Sequence, residues 1–234
     1  MSHILKAANK IFNFMKKVSY ILVLIACLSI VSCSSPEKKA LKLIDAHMFK
    51  TLYDYKSYEP VDTKIDSAFA SVHYLNAAIV AAKQAKEKIN SATELLEDAE
   101  HALSSAEIWN DSYSSYGISQ WKKYKTEYLE KMDESFECAA ESYEAMGIIR
   151  QLDSALTKEF IGWAVTHRYR ANNSGGNSTI GDELFIIDPK FKEIIFTRDL
   201  DDDDEVSYHG YIDAALEMSD EEFQKKLQQY KSKN

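Results

Sequence analysis

Glycine, proline and cysteine are scarce in this chain of 234 residues, which contains 7 Gly, 3 Pro and 3 Cys. So little glycine and proline excludes a collagen-like or linker protein, and three cysteines exclude a disulfide-rich scaffold. Intrinsic disorder is excluded as well, because 45% of the residues are hydrophobic and 12% are aromatic. The length suits one domain, or two small ones, with a substantial core.

Signatures of catalysis and cofactor binding are missing too. The chain has no Gly-x-Ser-x-Gly, His-Glu-x-x-His or Cys-x-x-Cys sequence, and its six histidines are not spaced as a zinc pair on a helix. We therefore predict no cofactor and no enzymatic function. The alternative is a hydrolase whose site is scattered along the chain and includes His167, although His167 lies on the apolar face of a strand pattern and favours a hydrogen-bonded core histidine.

The first 32 residues have the organisation of a secretory signal peptide. Lys16 and Lys17 precede the uncharged residues 18–31, which are 14 in number and too few to cross a bilayer as a mature helix. We predict that residues 1–32 are removed. The segment before Met15 is either an extended basic region or the product of an upstream start codon.

The end of this apolar segment, Ile30-Val31-Ser32-Cys33, resembles the lipobox of bacterial lipoproteins. The resemblance implies cleavage before Cys33, lipidation of its thiol and acylation of the new amino terminus, with residues 33–39 forming a tether. Residues 162–204 also resemble small envelope lipoproteins of Bacteroidetes, which implies no activity. Ser34 after the cysteine favours the outer membrane, and the single acid in residues 34–39 favours a position facing the periplasm; the inner membrane and the cell surface remain alternatives.

Charge limits the partners of the mature chain. Removal of residues 1–32, which hold four lysines and no acid, leaves 24 basic against 37 acidic residues and a net charge of −13. Such a body is repelled by nucleic-acid phosphates and anionic headgroups, so we predict no nucleic-acid partner and membrane attachment through the lipid anchor.

The middle of the chain predicts a long antiparallel helical hairpin within a mainly α, α+β fold. No glycine occurs in residues 61–116, and apolar or small residues recur at spacings of three and four from position 68 to position 106. We predict one helix over residues 66–109, a turn at 110–117 and a second helix from about 119 to 158. A shorter helix over 40–53 and a tyrosine-rich connector at 53–60 complete a helical hairpin region, residues 40–159. The alanine-rich seam also suits a homodimer.

The last third, residues 160–234, predicts a small α+β region packed on the hairpin. Residues 160–170 alternate between two faces, and residues 183–188 and 191–197 are two further β-rich runs. We expect a three-stranded antiparallel sheet, a helix over 208–217 and a last helix opened by the capping box at 219–222.

An acidic run is the most conspicuous polar tract. Asp199, Asp201 and Asp203 match the first three ligand positions of a calcium loop, but position six is Asp204 rather than Gly, and position twelve is Gly210 rather than Glu. We therefore favour a solvated acidic loop and keep calcium as a weak alternative.

These observations lead to a functional hypothesis without a named partner. The chain is interpreted as a lipid-anchored envelope protein that acts as a binding or structural module towards another envelope protein. Its surface residues for contact are Arg168 and Arg170 on the sheet and Tyr113 and Tyr116 in the turn. An immunity-type inhibitor of a periplasmic toxin is the second hypothesis, because an acidic, tethered body without a catalytic centre fits that function equally well.

Overall fold

The computed structural model describes residues 35–231; the predicted leader and Cys33 lie outside them. The fold is of mixed α and β class and mainly helical, as predicted. Its elements are α1 (Pro36–Thr51), β1 (Asp54–Phe69), a 3-10 turn (Val72–Tyr74), α2 (Asn76–Trp109), α3 (Ser115–Ala155), β2 (Phe160–Asn172), β3 (Ser178–Ile187), β4 (Ile194–Asp199), α4 (Asp203–Glu217) and α5 (Asp220–Lys231). Across the described part of the chain, none of the helices combines the length and apolar character needed to span a bilayer.

The four strands form one antiparallel sheet in the order β1-β2-β3-β4. One row of paired residues crosses it from Ile65 to Val165, Phe185 and Thr197. Since side chains alternate between the faces of a strand, this row lies on a single face. Strands β1 and β4 are the two edges.

The expected position of the sheet at the C-terminal end of the chain is wrong. Strand β1 precedes the long helices and lies inside residues 40–159, which were expected to be helical. Residues 54–60 of the predicted connector and the predicted helical residues 66–69 belong to β1, and α2 begins only at Asn76. Spacings of three and four at Ala68 and Ser71 did not identify a helix, because pairing with β2 decided the local structure.

Pro60 is compatible with β1 because this strand is an edge of the sheet. Proline has no N–H to donate to a neighbouring strand, so it is confined to edges and irregular positions. Pro60 lies opposite Tyr169 of β2, next to a shift of register between Pro60 and Asp62. Residues 53–60 were expected to form a tyrosine-rich connector, whereas the edge position accommodates Pro60 within a strand.

Helices α2 and α3 pack side by side in opposite directions. Lys131 of α3 lies 3.7 Å from Asp98 of α2, and nearer the sheet the buried Ser142 Oγ donates to Ala85 O at 2.9 Å. Small side chains allow this close approach. The buried alanines of α2 are Ala78, Ala81, Ala82, Ala85, Ala92, Ala99, Ala102 and Ala106.

Two leucines expected in the apolar seam of α2 lie at its margin instead. Leu96 and Leu103 are each 40% exposed, so alanines make the contact with α3. The first turn of α3 also begins earlier than expected, at Ser115, where the Ser114 side chain accepts a hydrogen bond from Gly117 N at 3.0 Å. Serine is a preferred helix N-cap, which explains why the turn is shorter than predicted.

Residues 35–231 form two apolar cores. One lies between the sheet and α1, where Ala40, Ile44 and Met48 pack against the face that carries Val165 and Phe185. The other lies among the four remaining helices. Its buried residues are Val72, Ala78, Ala81, Ala82, Ala85, Ala145, Met146, Ile149, Ile212, Ala215 and Phe223.

The acidic run continues directly into α4, which begins at Asp203 rather than at the expected residue 208. Asp202 caps it, because its Oδ1 accepts hydrogen bonds from Asp204 N at 2.8 Å and Glu205 N at 3.0 Å. Carboxylates in the first turn interact favourably with the partial positive charge of a helix N-terminus. Part of the expected solvated loop is therefore a helix start.

Candidate functional site

An open cleft of about 510 Å³ lies beside β4. We call it the edge cleft. Its lining residues are His47, Asn76, Ile79, Ile194, Ile195, Phe196, Thr197 and Glu205. His47 belongs to α1, whereas Asn76, Ile79 and Glu205 come from the starts of α2 and α4. The cleft therefore borders the outer edge of β4, with a wall from a helix on each side.

Backbone groups of β4 face into this cleft. Leu200 N donates to Asp182 O at 2.8 Å at the end of the β3–β4 pair. In an antiparallel pair, alternate residues direct their N–H and C=O groups towards the partner strand and away from it. Counting back from Leu200, Arg198 and Phe196 face β3. Thr197 directs its backbone groups away from the sheet, and the count ends at Phe196, because the pairing with β3 shifts register between Phe196 and Ile194.

Glu205 closes one end of the exposed edge. Its Oε2 accepts a hydrogen bond from Asp199 N at 2.9 Å, so the outward N–H of Asp199 is satisfied by a side chain from the first turn of α4. Beyond Asp199, Thr197 is the next residue of β4 with outward backbone groups, and it lines the cleft.

His47 forms part of the α1 wall. Its ring meets Phe185 edge-on, with the centroids 5.4 Å apart. Burial, together with the positive charge of Lys50, lowers the pKa of His47 below its usual value. At neutral pH His47 is therefore an uncharged donor and acceptor, and Glu205 is the acidic group in the lining of the cleft.

A second, much smaller cavity continues from the edge cleft towards a pair of histidines. Its volume is about 30 Å³, and it shares Ile79, Phe196, Thr197 and Glu205 with the cleft. Lys83, Tyr208 and His209 complete its lining. The ring of His209 stacks on that of His73, with the centroids 5.2 Å apart.

The two histidines form a chain of polar contacts with Asp213. Their Nδ1 atoms are 3.0 Å apart, and His73 Nε2 lies 3.2 Å from Asp213 Oδ1. A hydrogen bond between two Nδ1 atoms requires one donor and one acceptor, so the two rings cannot both be protonated there. Burial first, and then the charges of Arg198 and His73, lowers the pKa of His209 to about 4. His209 is therefore neutral at pH 7.

Arg198 lies under this pair and carries a buried nitrogen. Its Nε has no hydrogen-bond partner and is shielded from solvent, and burial lowers the pKa of the guanidinium despite the charges of Glu205 and Asp213. A guanidinium keeps its proton at neutral pH. Arg198 therefore keeps a positive charge beside His209 and opposes protonation of that ring.

His167 has the structural role that the sequence favoured. It is fully buried, with Tyr58 Oη 2.8 Å from its Nε2 and Thr63 Oγ1 2.8 Å from its Nδ1. Burial lowers its pKa. The prediction of a hydrogen-bonded core histidine is confirmed, and its two partners are hydroxyl groups of β1 rather than the carboxylate that a hydrolase would need.

The side chains of the acidic run are used by the backbone. Asp199 Oδ1 accepts from Asp201 N at 2.9 Å, Asp201 Oδ2 accepts from Asp182 N at 2.8 Å, and Asp203 lies in the first turn of α4. Within residues 35–231, no three histidine, cysteine, aspartate or glutamate side chains are grouped to hold a metal ion.

The four residues proposed for contact lie in two separate places. Arg168 is 3.4 Å from Asp182, and Arg170 is 3.7 Å from Glu59, so both are half-exposed members of ion pairs on the sheet. Tyr113 and Tyr116 lie at the turn between α2 and α3, and both are strongly exposed. The structure does not bring these two groups together.

Sequence reasoning did not identify the edge cleft or the histidine pair. The cleft is built by α1, α2, β4 and α4, and His73 is separated from His209 by 136 residues. Neither contact has a local signal in the sequence. The β-rich run at 191–197 indicated a strand but not its position at the edge of the sheet.

Comparisons with known proteins give no relative from which the function of this chain could be inferred. No protein-family model matches the chain, and no curated protein or solved structure shows detectable similarity to it.

Proposed function

We propose that this protein is a lipid-anchored, non-enzymatic binding module of the bacterial cell envelope that captures an extended segment of another envelope protein in the edge cleft. One observation carries the proposal. Thr197 of β4, whose backbone groups point away from β3, lines a cleft of about 510 Å³. An added strand would satisfy these groups by main-chain hydrogen bonds, which is an established mode of peptide recognition.

The walls of the edge cleft define the kind of segment that fits. Ile79, Ile195 and Phe196 offer apolar contacts for alternate side chains of an extended chain. Glu205 at one end, with Asp199 beside it, favours a basic residue there. The occupant is therefore a β-strand with apolar residues at every second position and a lysine or arginine near the Glu205 end.

The lipid anchor is the second part of the proposal. We propose that Cys33 is acylated and holds the protein at the outer membrane, facing the periplasm. Only Ser34 separates Cys33 from Ser35, whose side chain accepts a hydrogen bond from Lys38 N at 3.3 Å and caps α1. Because α1 packs on the sheet, so short a tether would keep the sheet and its edge cleft close to the bilayer.

Helices α2 and α3 are proposed to act as one antiparallel hairpin that extends from the sheet. The hairpin interpretation is supported by the ion pair between Lys131 and Asp98 and by the alanines along α2. Leu96 and Leu103, together with Leu129 of α3, leave apolar surface on the distal half. That surface supports the homodimer hypothesis, which light scattering of the chain beginning at Ser34 would test.

An immunity-type inhibitor remains the second proposal, for one specific reason. The acidic residues at the Glu205 end of the edge cleft would attract a basic toxin surface. Tight co-purification with a basic toxin domain distinguishes this proposal from a general envelope module. A hydrolase is not proposed, because the hydrogen-bond partners of His167 are Tyr58 and Thr63.

Site-specific photo-crosslinking in the native cell tests the edge cleft. A photoreactive amino acid replaces Ile195 in β4 or, as the matched control, the comparably exposed Val61 on the opposite edge of the sheet. We expect a discrete adduct from position 195 and none from position 61. Thr197→Pro removes an outward N–H without breaking the pairing with β3, and it should abolish the adduct.

Equal crosslinking from positions 195 and 61, or an adduct unaffected by Thr197→Pro, would contradict binding at the β4 edge. The anchor is tested separately. Mass spectrometry of the protein from its own membranes should find an acylated Cys33 at the amino terminus, and Cys33→Ser should release the protein from the membrane fraction. An unmodified thiol, or an intact leader, would refute the anchor without affecting the crosslinking result.

A further inference from the structure

The turn between α2 and α3 carries an exposed apolar and aromatic surface at the far end of the helix pair. Tyr113 is 97% exposed, Ile108 77% and Tyr116 64%, and Ile118 is exposed as well. Scattered exposed apolar residues are normal on proteins, but a continuous patch marks a contact with another molecule or a membrane. We call Trp109, Tyr113, Tyr116, Ile118 and Trp121 the turn cluster.

The backbone of the turn and the contact between Trp109 and Tyr116 are preformed. Asn110 N donates to Glu107 O and Ser112 N donates to Trp109 O, so the chain turns within a few residues. The rings of Trp109 and Tyr116 meet edge-on, with the centroids 5.7 Å apart. Little conformational entropy is therefore lost when the cluster binds.

A cavity of about 220 Å³ opens between the two indole rings of the turn cluster. Its lining residues are Trp109, Asn110, Ser112, Ile118 and Trp121. Three of these five are large apolar side chains that border empty space at the surface. A cavity of this kind accepts a short apolar group rather than a charged one.

The α3 side of the turn cluster is basic, although the whole sequence has a formal net charge of −9. Residues 112–126 contain three lysines and no acid, whereas Glu107 and Asp111 lie on the α2 side of the turn. Lys125 Nζ lies 4.6 Å from the centroid of the Trp121 ring, and Lys123 Nζ lies 5.3 Å from that of Tyr124. Lys122 is the third and is exposed. The lysines thus place positive charge on the α3 side of the aromatic rings.

This combination is the composition that proteins place at membrane interfaces. Tryptophan and tyrosine favour the headgroup level, because one end of each side chain is apolar and the other forms hydrogen bonds. Lysines beside them attract anionic headgroups, each with a modest contribution that salt weakens. A neutral glycan would gain nothing from the three lysines, and the turn cluster of a second copy would repel them.

We propose that the turn cluster binds the surface of an anionic lipid bilayer, with Tyr113, Tyr116 and Ile118 in the interface and the three lysines on the headgroups. This contact is separate from the anchor at Cys33. Helix α2 has 34 residues and is about 50 Å long, so the turn cluster lies far from the sheet. Binding there leaves the edge cleft free.

Vesicle flotation of the mature chain without its lipid tests the proposal. A chain that begins at Ser34 retains every residue of both cores and lacks Cys33, so the state of the anchor does not affect the result. The probes are vesicles of phosphatidylcholine alone and of phosphatidylcholine with phosphatidylglycerol. We expect binding to the anionic vesicles only, a blue shift of tryptophan fluorescence, and weakening by salt.

Matched variants assign the binding to the turn cluster. The triple change Tyr113→Ser, Tyr116→Ser and Ile118→Ser should lower the partition coefficient roughly tenfold or more. The same chemical change at three exposed positions elsewhere should leave it unchanged; these control positions are Phe49, Val61 and Ile180. Neutral substitution of Lys122, Lys123 and Lys125 by Gln should remove the preference for anionic lipid.

Three outcomes would overturn the proposal. The first is no binding to anionic vesicles by the parent chain at low salt. The second is equal binding by the turn-cluster triple variant and the control triple variant. The third is binding to purified cell-wall glycan, or dimerisation in light scattering, that the turn-cluster variant abolishes while vesicle binding is absent. Thermal unfolding of each variant confirms that the differences do not come from loss of the fold.

Discussion

The Nδ1 atoms of His73 and His209 are 3.0 Å apart, although 136 residues separate the two histidines in the sequence. His73 belongs to the 3-10 turn before α2, and His209 belongs to α4. Their contact therefore joins the beginning of the long helices to the helix that follows the sheet. It also places two titratable groups where only one proton can lie between them.

Acidification should weaken the fold through His209. Its pKa is about 4 in the folded state, against 6.5 for an unperturbed histidine, so the unfolded chain binds more protons between these values. The free energy of unfolding should therefore fall as the pH drops from about 7 towards 4, with a contribution of up to about 3 kcal/mol from this residue.

Urea denaturation of the parent protein and of His209→Gln measures this contribution. Because carboxylates titrate in both proteins, the quantity compared is the difference in unfolding free energy between the two at about pH 7 and about pH 5. We expect the parent protein to lose more stability than the variant on acidification. A difference that is constant with pH would show that His209 does not carry the effect.

Gly162 should tolerate no side chain. Its φ is +149°, and a Cβ built there would lie 1.9 Å from Ile187 O on the neighbouring strand. Gly162→Ala is therefore expected to destabilise the protein by about 3 kcal/mol or more, or to prevent folding. The clash is with a backbone atom, so rotation of a side chain cannot relieve it.

Gly210 provides the opposite control. It lies within α4, and a Cβ there would meet nothing within 4 Å. Gly210→Ala should stabilise the protein by about 0.5–1 kcal/mol, because alanine loses less conformational freedom in a helix. Chemical denaturation of both variants would test this contrast, and equal effects of the same sign would contradict the geometry.

The alanines between α2 and α3 should resist enlargement. Ala85 is fully buried, and its carbonyl accepts the hydrogen bond from Ser142 Oγ. Ala85→Leu should cost about 1–3 kcal/mol, because the extra methylene groups force the helices apart. Ala77→Leu, at an exposed position of the same helix, should change stability by less than about 0.5 kcal/mol. Similar melting temperatures for the two variants would argue against close packing of the pair.

Arg150 should contribute more than other arginines of the fold. Its guanidinium donates to Ala215 O at 2.5 Å and Met218 O at 2.6 Å, carbonyl groups at the end of α4. Arg150→Met leaves these acceptors without the donor and should cost about 1–3 kcal/mol. Arg170→Met removes an exposed pair with Glu59 and should cost less than about 1 kcal/mol. Equal losses in equilibrium unfolding would be inconsistent with this assignment.

The periodic parts of the fold could be predicted from the sequence. Apolar and small residues at spacings of three and four identified α2 from Asn76 onward, and alternation identified β2. Strand β1 could not be identified, because its irregular register and Pro60 conceal the alternation that pairing with β2 imposes. Prediction thus succeeded where the local pattern and the tertiary contact agree.

The candidate site was less predictable than the fold. Tyr113 and Tyr116 were proposed as contact residues from the sequence, and both are exposed. The edge cleft depends on which strand lies last in the sheet, which is a property of the topology and not of any one segment. His73 and His209 meet only after the sheet has brought α4 back to the start of α2.

The pairing of β1 with β2 joins the chain just before the long helices to the chain just after them. Ala68 lies opposite Gly162, and Phe69 lies opposite Phe160. Equal insertions or deletions of whole helical turns in α2 and α3 would therefore change how far the helix pair reaches and leave the sheet register untouched. Related chains could differ in reach while they keep the same recognition surface, so the length of the arm and the specificity of the sheet are free to evolve separately.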